Sequence, residues 1–284
     1  MSASQQPGLA DHLHTCEVAG NQIVYWEKGS GEPIVLIHGM FGDYLDWEPV
    51  LEPLAETFRV VAFDLPGFGA SGKPQIEYTA EFFVATLHEL LVLLGIRRPL
   101  LVGNSFGGEL SILYAIEHPE YVKGLVLVSS GGLRFYSNEQ KSKLRENFSV
   151  SNLRLMTPAI NEFIFAGIFS RESEQRRRYI AKQNAKLQRD DFPAYTVALF
   201  QCMVLAFELY FDEELRAIAA PVLLLWGDAD TVFPVALAER ALTRLPNARL
   251  QLLPRAGHAP QLEAPGDFVA AIREFAGLVG VRRG

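Results

Sequence analysis

Gly103-Asn104-Ser105-Phe106-Gly107-Gly108 is the stretch from which the rest of the chain is read. Before it stands Pro99-Leu100-Leu101-Val102, a short apolar run of the kind that forms a buried parallel strand. After it, Glu109-Leu110-Ser111-Ile112-Leu113-Tyr114-Ala115-Ile116 places apolar residues at helical spacing. A G-x-S-x-G between a strand and a helix marks a sharp turn. Only small residues fit two positions either side of the serine, whose hydroxyl is left exposed above the sheet. Ser105 is the first candidate nucleophile.

Working outward, the other apolar runs alternate with helical patterns. Residues 14–28 read as two strands joined by a hairpin turn at Ala19-Gly20-Asn21. Pro33-Ile34-Val35-Leu36-Ile37 is a buried strand leading into His38-Gly39-Met40-Phe41-Gly42, and Trp47 to Phe58 reads as a helix. Phe58–Phe63 is the next strand, and a helix capped by Thr79 runs to Leu94. Gly124–Ser130 is again a strand. The alternation then stops: from Leu133 to about Asp212 the pattern is helical and rich in aromatics. Within that stretch Phe163, Phe165 and Phe169 are expected to cluster, as are Phe192, Phe200, Met203, Phe207, Tyr210 and Phe211. Strands resume at Pro221–Trp226 and Arg249–Leu253, with helices near Val235–Leu245 and Pro265–Leu278. The sum is an α/β fold with a mostly parallel sheet and helices on both faces. Its core spans residues 1–132 and 213–284, interrupted by an all-helical lid over residues 133–212.

Composition narrows the function. A chain of 284 residues, 49% hydrophobic, buries a full core. A formal charge of −7 gives no support to nucleic-acid or acidic-membrane partners. No stretch reads as a signal peptide or spanning helix, so a cytoplasmic protein with a small-molecule partner is expected. Oligomeric state, monomer or homodimer, is left open. Cys16 and Cys202 form no C-x-x-C and read as free thiols. His12 and His14 lack further ligands nearby, so no metal site is expected. Gly67-x-Gly69-x-x-Gly72-Lys73 imitates two nucleotide-binding fingerprints. Pro74 stands where a P-loop needs a hydroxyl, and no helix opens after the glycines. A tight structural loop fits better.

Function in open α/β sheets sits beyond the carboxyl ends of the strands. The loop at His38-Gly39-Met40, Ser105, Asp230 and His258 all fall there, in the chain order Ser, Asp, His. A serine hydroxyl needs a base within hydrogen-bond reach, and His258 is the histidine of the C-terminal half. Asp230 would hold the other imidazole nitrogen; Asp228 is its rival but lies nearer the strand end. The amides of Met40 and Phe106 are candidate oxyanion donors. His38 is read as holding its loop. Together with Gly39, Phe41, Asn104, Phe163 and Phe207, it is expected to border the substrate.

These motifs together resemble the α/β-hydrolase superfamily, within it the lidded serine hydrolases. The resemblance rests on five stretches in the family's order. They are His38-Gly39; Asp64-Leu65-Pro66-Gly67-Phe68-Gly69-Ala70-Ser71; the Ser105 elbow; Trp226-Gly227-x-x-Asp230-x-x-x-Pro234; and Gly257-His258-x-Pro260-x-x-Glu263-x-Pro265. It covers nearly the whole chain outside the lid and selects Asp230 over Asp228. It implies hydrolysis of a carboxylic ester through an acyl-enzyme, without metal or organic cofactor, and the aromatic, generally apolar insertion points to a small-to-medium hydrophobic substrate. Ser105 departs from the aspartate that dehalogenase- and epoxide-hydrolase-like members carry. Asn104-Ser105 is similar to members that cleave carbon–carbon bonds in meta-cleavage dienoates. Those members usually carry Gly-Pro-Gly where Met40-Phe41-Gly42 stands, and tryptophan in place of Ala259. A third reading keeps the fold as a non-catalytic ligand-binding protein.

Overall fold

Alternating apolar residues build one eight-stranded sheet in the computed structural model, which describes residues 8–280. The strands are β1 (Leu13–Val18), β2 (Asn21–Lys28), β3 (Pro33–Ile37), β4 (Arg59–Phe63), β5 (Leu100–Asn104), β6 (Gly124–Val128), β7 (Val222–Gly227) and β8 (Ala248–Leu253). Their spatial order is β1-β2-β4-β3-β5-β6-β7-β8. Only β2 runs against its neighbours; every pairing from β4 to β8 is parallel. The carboxyl ends of β3, β5, β7 and β8 therefore open on one edge. Every residue of β5 and β6 is buried, as helices on both faces require.

Period two divides each strand between two cores. Ile37, Phe63, Leu101, Leu127 and Leu224 face one side, packed against α2 (Ala80–Leu93) and α3 (Phe106–Glu117). Leu36, Ala62, Val102, Val126 and Leu225 face the other, against α1 (Glu48–Ala55) and the closing helix Pro265–Leu278. Between β6 and β7 lie α4 (Asn138–Asn147), α5 (Val150–Arg154), α6 (Pro158–Ala166), α7 (Glu174–Lys186) and α8 (Phe192–Glu208), and no strand. After β7 come α9 (Ala236–Leu242), α10 (Pro260–Glu263) and α11 (Pro265–Leu278).

Local chemistry explains the boundaries. The Thr79 hydroxyl accepts from the Phe82 amide and starts α2, as its cap position implies. The helix expected from Trp47 is shorter than its pattern: Tyr44–Trp47 is a 3-10 turn and α1 ends at Ala55. The one-turn α10 directly after His258 has no counterpart in the apolar periodicity. Phe163 corrects its expected cluster. Residues two apart on a helix point to nearly opposite sides. Phe165 and Phe169 accordingly pack on Tyr179, while Phe163 is 86% exposed.

Candidate active site

Ser105 lies at the junction of β5 and α3 with φ 53° and ψ −116°, backbone geometry that non-glycine residues avoid. The glycines around it have a steric cause. A Cβ at Gly103 would meet the Gly107 carbonyl, and one at Gly107 would meet the Ile37 carbonyl. The turn is pinned by the Ser105 amide, which donates to Val128 O at 3.0 Å. The Gly108 and Gly131 amides donate to Ser105 O at 2.9 and 3.1 Å.

Asp230 and His258 arrive from the ends of β7 and β8. His258 Nδ1 donates to Asp230 Oδ2 at 3.0 Å, and the Asp230 side chain is fully shielded from solvent. The other oxygen of Asp230 accepts from the amides of Val232 (2.8 Å) and Phe233 (2.9 Å). Trp226 Nε1 donates to Phe233 O at 2.7 Å and braces the same loop. With Nδ1 committed to the carboxylate, Nε2 is the ring nitrogen free to take a proton. Asp228 instead accepts from the Arg255 amide and is exposed. Ser105 and His258 line one cavity; no direct hydrogen bond joins their side chains.

Met40 and Phe106 border the same cavity. Among the described residues neither backbone amide finds a main-chain acceptor, so both are available to a ligand. The Phe106 amide is also the first of α3, where the helix dipole favours negative charge. Gly39 approaches Ser105 closely: a Cβ there would lie 3.1 Å from the Ser105 Cβ. Phe41, Asn104 and Phe207 line the cavity, while Phe163 lies outside it.

His38 also lies outside the cavity and is wholly buried. Its Nδ1 donates to Gly39 O at 2.8 Å and its Nε2 accepts from the Leu65 amide at 3.0 Å. Burial lowers its pKa, so it is a neutral strut for the loop and does not border the substrate as expected. The glycine-rich stretch after β4 is structural as well. Asp64 accepts from the amides of Tyr44 and Ala70, both at 2.7 Å, and a Cβ at Gly69 would collide with its carboxylate.

Several of the bonds that brace the site were not visible in the sequence. Asn104 Nδ2 donates to Val128 O (3.0 Å) and His258 O (3.2 Å), tying the elbow to the histidine loop. Glu263 accepts from the Gly257 amide at 2.6 Å and from the Ser170 amide and hydroxyl at 2.8 and 2.6 Å. The His258 amide donates to Ile168 O at 2.8 Å, so the segment between α6 and α7 is stapled to the histidine loop. On the opposite wall Lys182 pairs with Asp43 (2.9 Å) and with Asp46. Lys186 donates to Phe41 O at 2.5 Å and lies 3.4 Å from Asp43. Burial pushes the Asp43 carboxyl up, but the two lysines outweigh it and hold Asp43 well below the usual range. The spacing of Lys182 and Lys186, one helical turn apart on α7, was the available signal.

The cavity, about 300 Å³, is mostly apolar, with Ile164, Phe165, Ile168, Met203 and Leu262 among its walls. Among the described residues, no group of three or more His, Cys, Asp or Glu side chains is placed to hold a metal ion. No described helix is long and apolar enough to cross a membrane.

Known proteins are similar to this chain over nearly its whole length. The alpha/beta hydrolase fold family matches residues 32–265. A 2-hydroxy-6-oxo-6-(2'-aminophenyl)hexa-2,4-dienoic acid hydrolase of Metapseudomonas resinovorans is 29% identical, over 90% of this chain and 88% of its own. A pimeloyl-[acyl-carrier protein] methyl ester esterase of Nitrosomonas europaea is 30% identical, over 85% of this chain and 94% of its own. A thermophilic esterase of Thermogutta terrifontis superposes with a TM-score of 0.80 at 25% identity, covering 94% of this chain and 98% of that one. The chain belongs to the α/β-hydrolase fold family and is a hydrolase of that superfamily.

Proposed function

We propose that the protein is a serine hydrolase that cleaves a carboxylic ester of a small-to-medium hydrophobic substrate. The observation that carries the reading is the Ser105 turn. A strained serine at a strand-to-helix junction shares a cavity with a histidine whose second nitrogen is already committed to a buried carboxylate. Strain of this kind persists where the surroundings over-determine it, and it clusters at functional positions.

The steps follow from the roles. Ser105 Oγ attacks the ester carbonyl while His258 Nε2 takes its proton. The negative charge that develops on the carbonyl oxygen is met by the amides of Met40 and Phe106. His258 then protonates the departing alcohol, leaving an acyl group on Ser105. Water, deprotonated by the same nitrogen, releases the acid. Asp230 holds the ring orientation and stabilises the imidazolium. The helices between β6 and β7 act as a lid that excludes bulk water and shapes the pocket.

The test is release of p-nitrophenol from acyl esters of increasing length by wild type and Ser105→Ala. Turnover by wild type that collapses in the variant supports the mechanism, and the best chain length sizes the pocket. Equal rates in the two proteins would overturn it. The similarity to a dienoic acid hydrolase favours a second reading, cleavage of a carbon–carbon bond in a dienoate. Turnover of such a dienoate without turnover of any ester would select it.

A further inference from the structure

One wall of the cavity departs from its apolar character. Glu109, on α3 one turn beyond Ser105, lines the cavity, is 3% exposed, and has Oε2 without a hydrogen-bond partner. It is lodged beneath the Gly131–Gly132 turn, where a Cβ at Gly131 would collide with its carboxyl. That turn leads directly to Arg134 and Tyr136, which line the same cavity. Arg134 lies 5.8 Å from the centroid of the Tyr136 ring, and Tyr136 stacks on Phe207 with centroids 4.1 Å apart.

The charge balance on this wall is lopsided. Arg134 is the cavity's one lysine or arginine side chain and, among the described residues, it enters no ion pair. The two acids at the cavity do not neutralise it. Asp46 is taken by Lys182. Burial pushes the Glu109 carboxyl well above the usual range, which favours its protonated form, able to donate a hydrogen bond. A planar guanidinium without a carboxylate partner, sharing a cavity with a buried acid that has one oxygen unpartnered, is complementary to a carboxylate.

We infer that Arg134, supported by Tyr136 and Glu109, is a recognition subsite for a carboxylate carried by the substrate away from its scissile bond. The natural substrate is then an amphipathic acid-ester: its chain lies against the apolar walls and its free carboxylate meets Arg134. The inference rests on the ester-hydrolase reading and names the substrate class for that site.

Two matched pairs test it, because the carboxylate can sit on either side of the ester. Monomethyl adipate is compared with methyl heptanoate, and 4-acetoxybutanoate with pentyl acetate. In one pair the carboxylate-bearing ester is preferred by about tenfold in kcat/KM, carried mainly by KM. That preference is lost in Arg134→Met and partly kept in Arg134→Lys. The same pair is titrated calorimetrically into Ser105→Ala, where the affinity ratio reads Arg134 even if no ester is turned over. No preference for the carboxylate in either pair, or a preference that survives Arg134→Met, overturns the inference. Absence of ester turnover alongside a preserved affinity ratio would instead overturn the proposed reaction.

Discussion

The cavity is walled by two regions that are held in place by different forces. The sheet-borne half carries Ser105, Asp230, His258 and the loop after β3. It is fixed by main-chain bonds and by glycines where backbones nearly touch. The helical half, α4 to α8, has no ladder to join it to the sheet. Besides the apolar packing of Tyr195, Leu199 and Met203 into the core and the His258–Ile168 main-chain bond, it docks through charged and polar side chains: Lys182 and Lys186 on the β3 loop, and Ser170 on Glu263. Steric fixation tolerates almost no change, whereas charge fixation can be weakened by degrees. On the proposed mechanism the chemistry sits on the rigid half, and the walls that would choose the substrate come largely from the adjustable one.

The largest effect is expected at the rigid half. Ser105→Ala should lower ester turnover by about ten-thousandfold or more, as removal of a nucleophile does. Ser105→Gly should be equally inactive but more stable than the alanine variant by about 1 kcal/mol, because glycine accepts the positive φ without strain. Denaturant midpoints of the two variants check this, and equal stabilities would remove the claim of stored strain.

Next comes the glycine contact. Gly107→Ala should destabilise the fold by about 3 kcal/mol, since its Cβ would meet the Ile37 carbonyl with no side chain to yield. A well-folded, fully active Gly107→Ala protein would mean that the rigid half is less constrained than its contacts imply.

The adjustable half is broken at Lys182. Lys182→Met leaves Asp43 and Asp46 buried without their shared cation. The expected cost is about 2 kcal/mol, below the usual range for a buried pair because the lysine retains 22% exposure. Asp43→Asn in the same chain should recover part of it. Amide exchange should rise across α6 and α7 while β5 and β6 stay protected. Uniform acceleration over the whole chain would show that the two halves are one cooperative unit.

What was legible in the sequence divides along the same line. Sheet strands alternate or run apolar, and the loops at their ends carry glycines and catalytic residue types at fixed spacing. Ser105, Asp230 and His258 could thus be singled out, and the order of strands and core helices anticipated. The insertion offers no such grammar. Phe163 and Phe165 look equivalent in composition, yet the helical turn sends them to opposite sides. The spacing of Lys182 and Lys186 says only that they share a helix face; what that face meets, Asp43 and Asp46, lies far away in the chain. His38 has the residue type of a catalytic group and the surroundings of a strut. Glu109 did carry a signal, a charge early in a mostly apolar helix, but its meaning depends on the Gly131–Gly132 turn that seals it.

Glu109 also sets a smaller, pH-dependent effect. Its folded pKa is raised, so its contribution to stability is complete below the usual glutamate range. That contribution is lost as pH rises toward the folded value, because the unfolded chain ionises first. Glu109→Gln, which cannot ionise, should therefore gain on wild type as pH goes from 5 to 8. Paired Tm measurements across that window show the sign, and a gap that shrinks with pH would contradict a buried neutral acid.

The smallest effect sharpens the comparison most, because it lies on the same helix as Lys182. Arg177 faces outward from α7 at 60% side-chain exposure and pairs with Glu172 and Glu174, which are exposed to 55% and 62%. Such pairs are screened by salt, and holding two long side chains in one geometry costs much of what the attraction contributes. Arg177→Ala should leave Tm unchanged between repeats, at low and at high salt. If it destabilised the protein as Lys182→Met does, the helix would be held by its overall charge, and the buried contacts with Asp43 and Asp46 would lose their special place. If it is silent, two cations five residues apart on one helix differ only in what they face. The charged part of the insertion's docking then comes down to the few cations it buries against the loop of Met40.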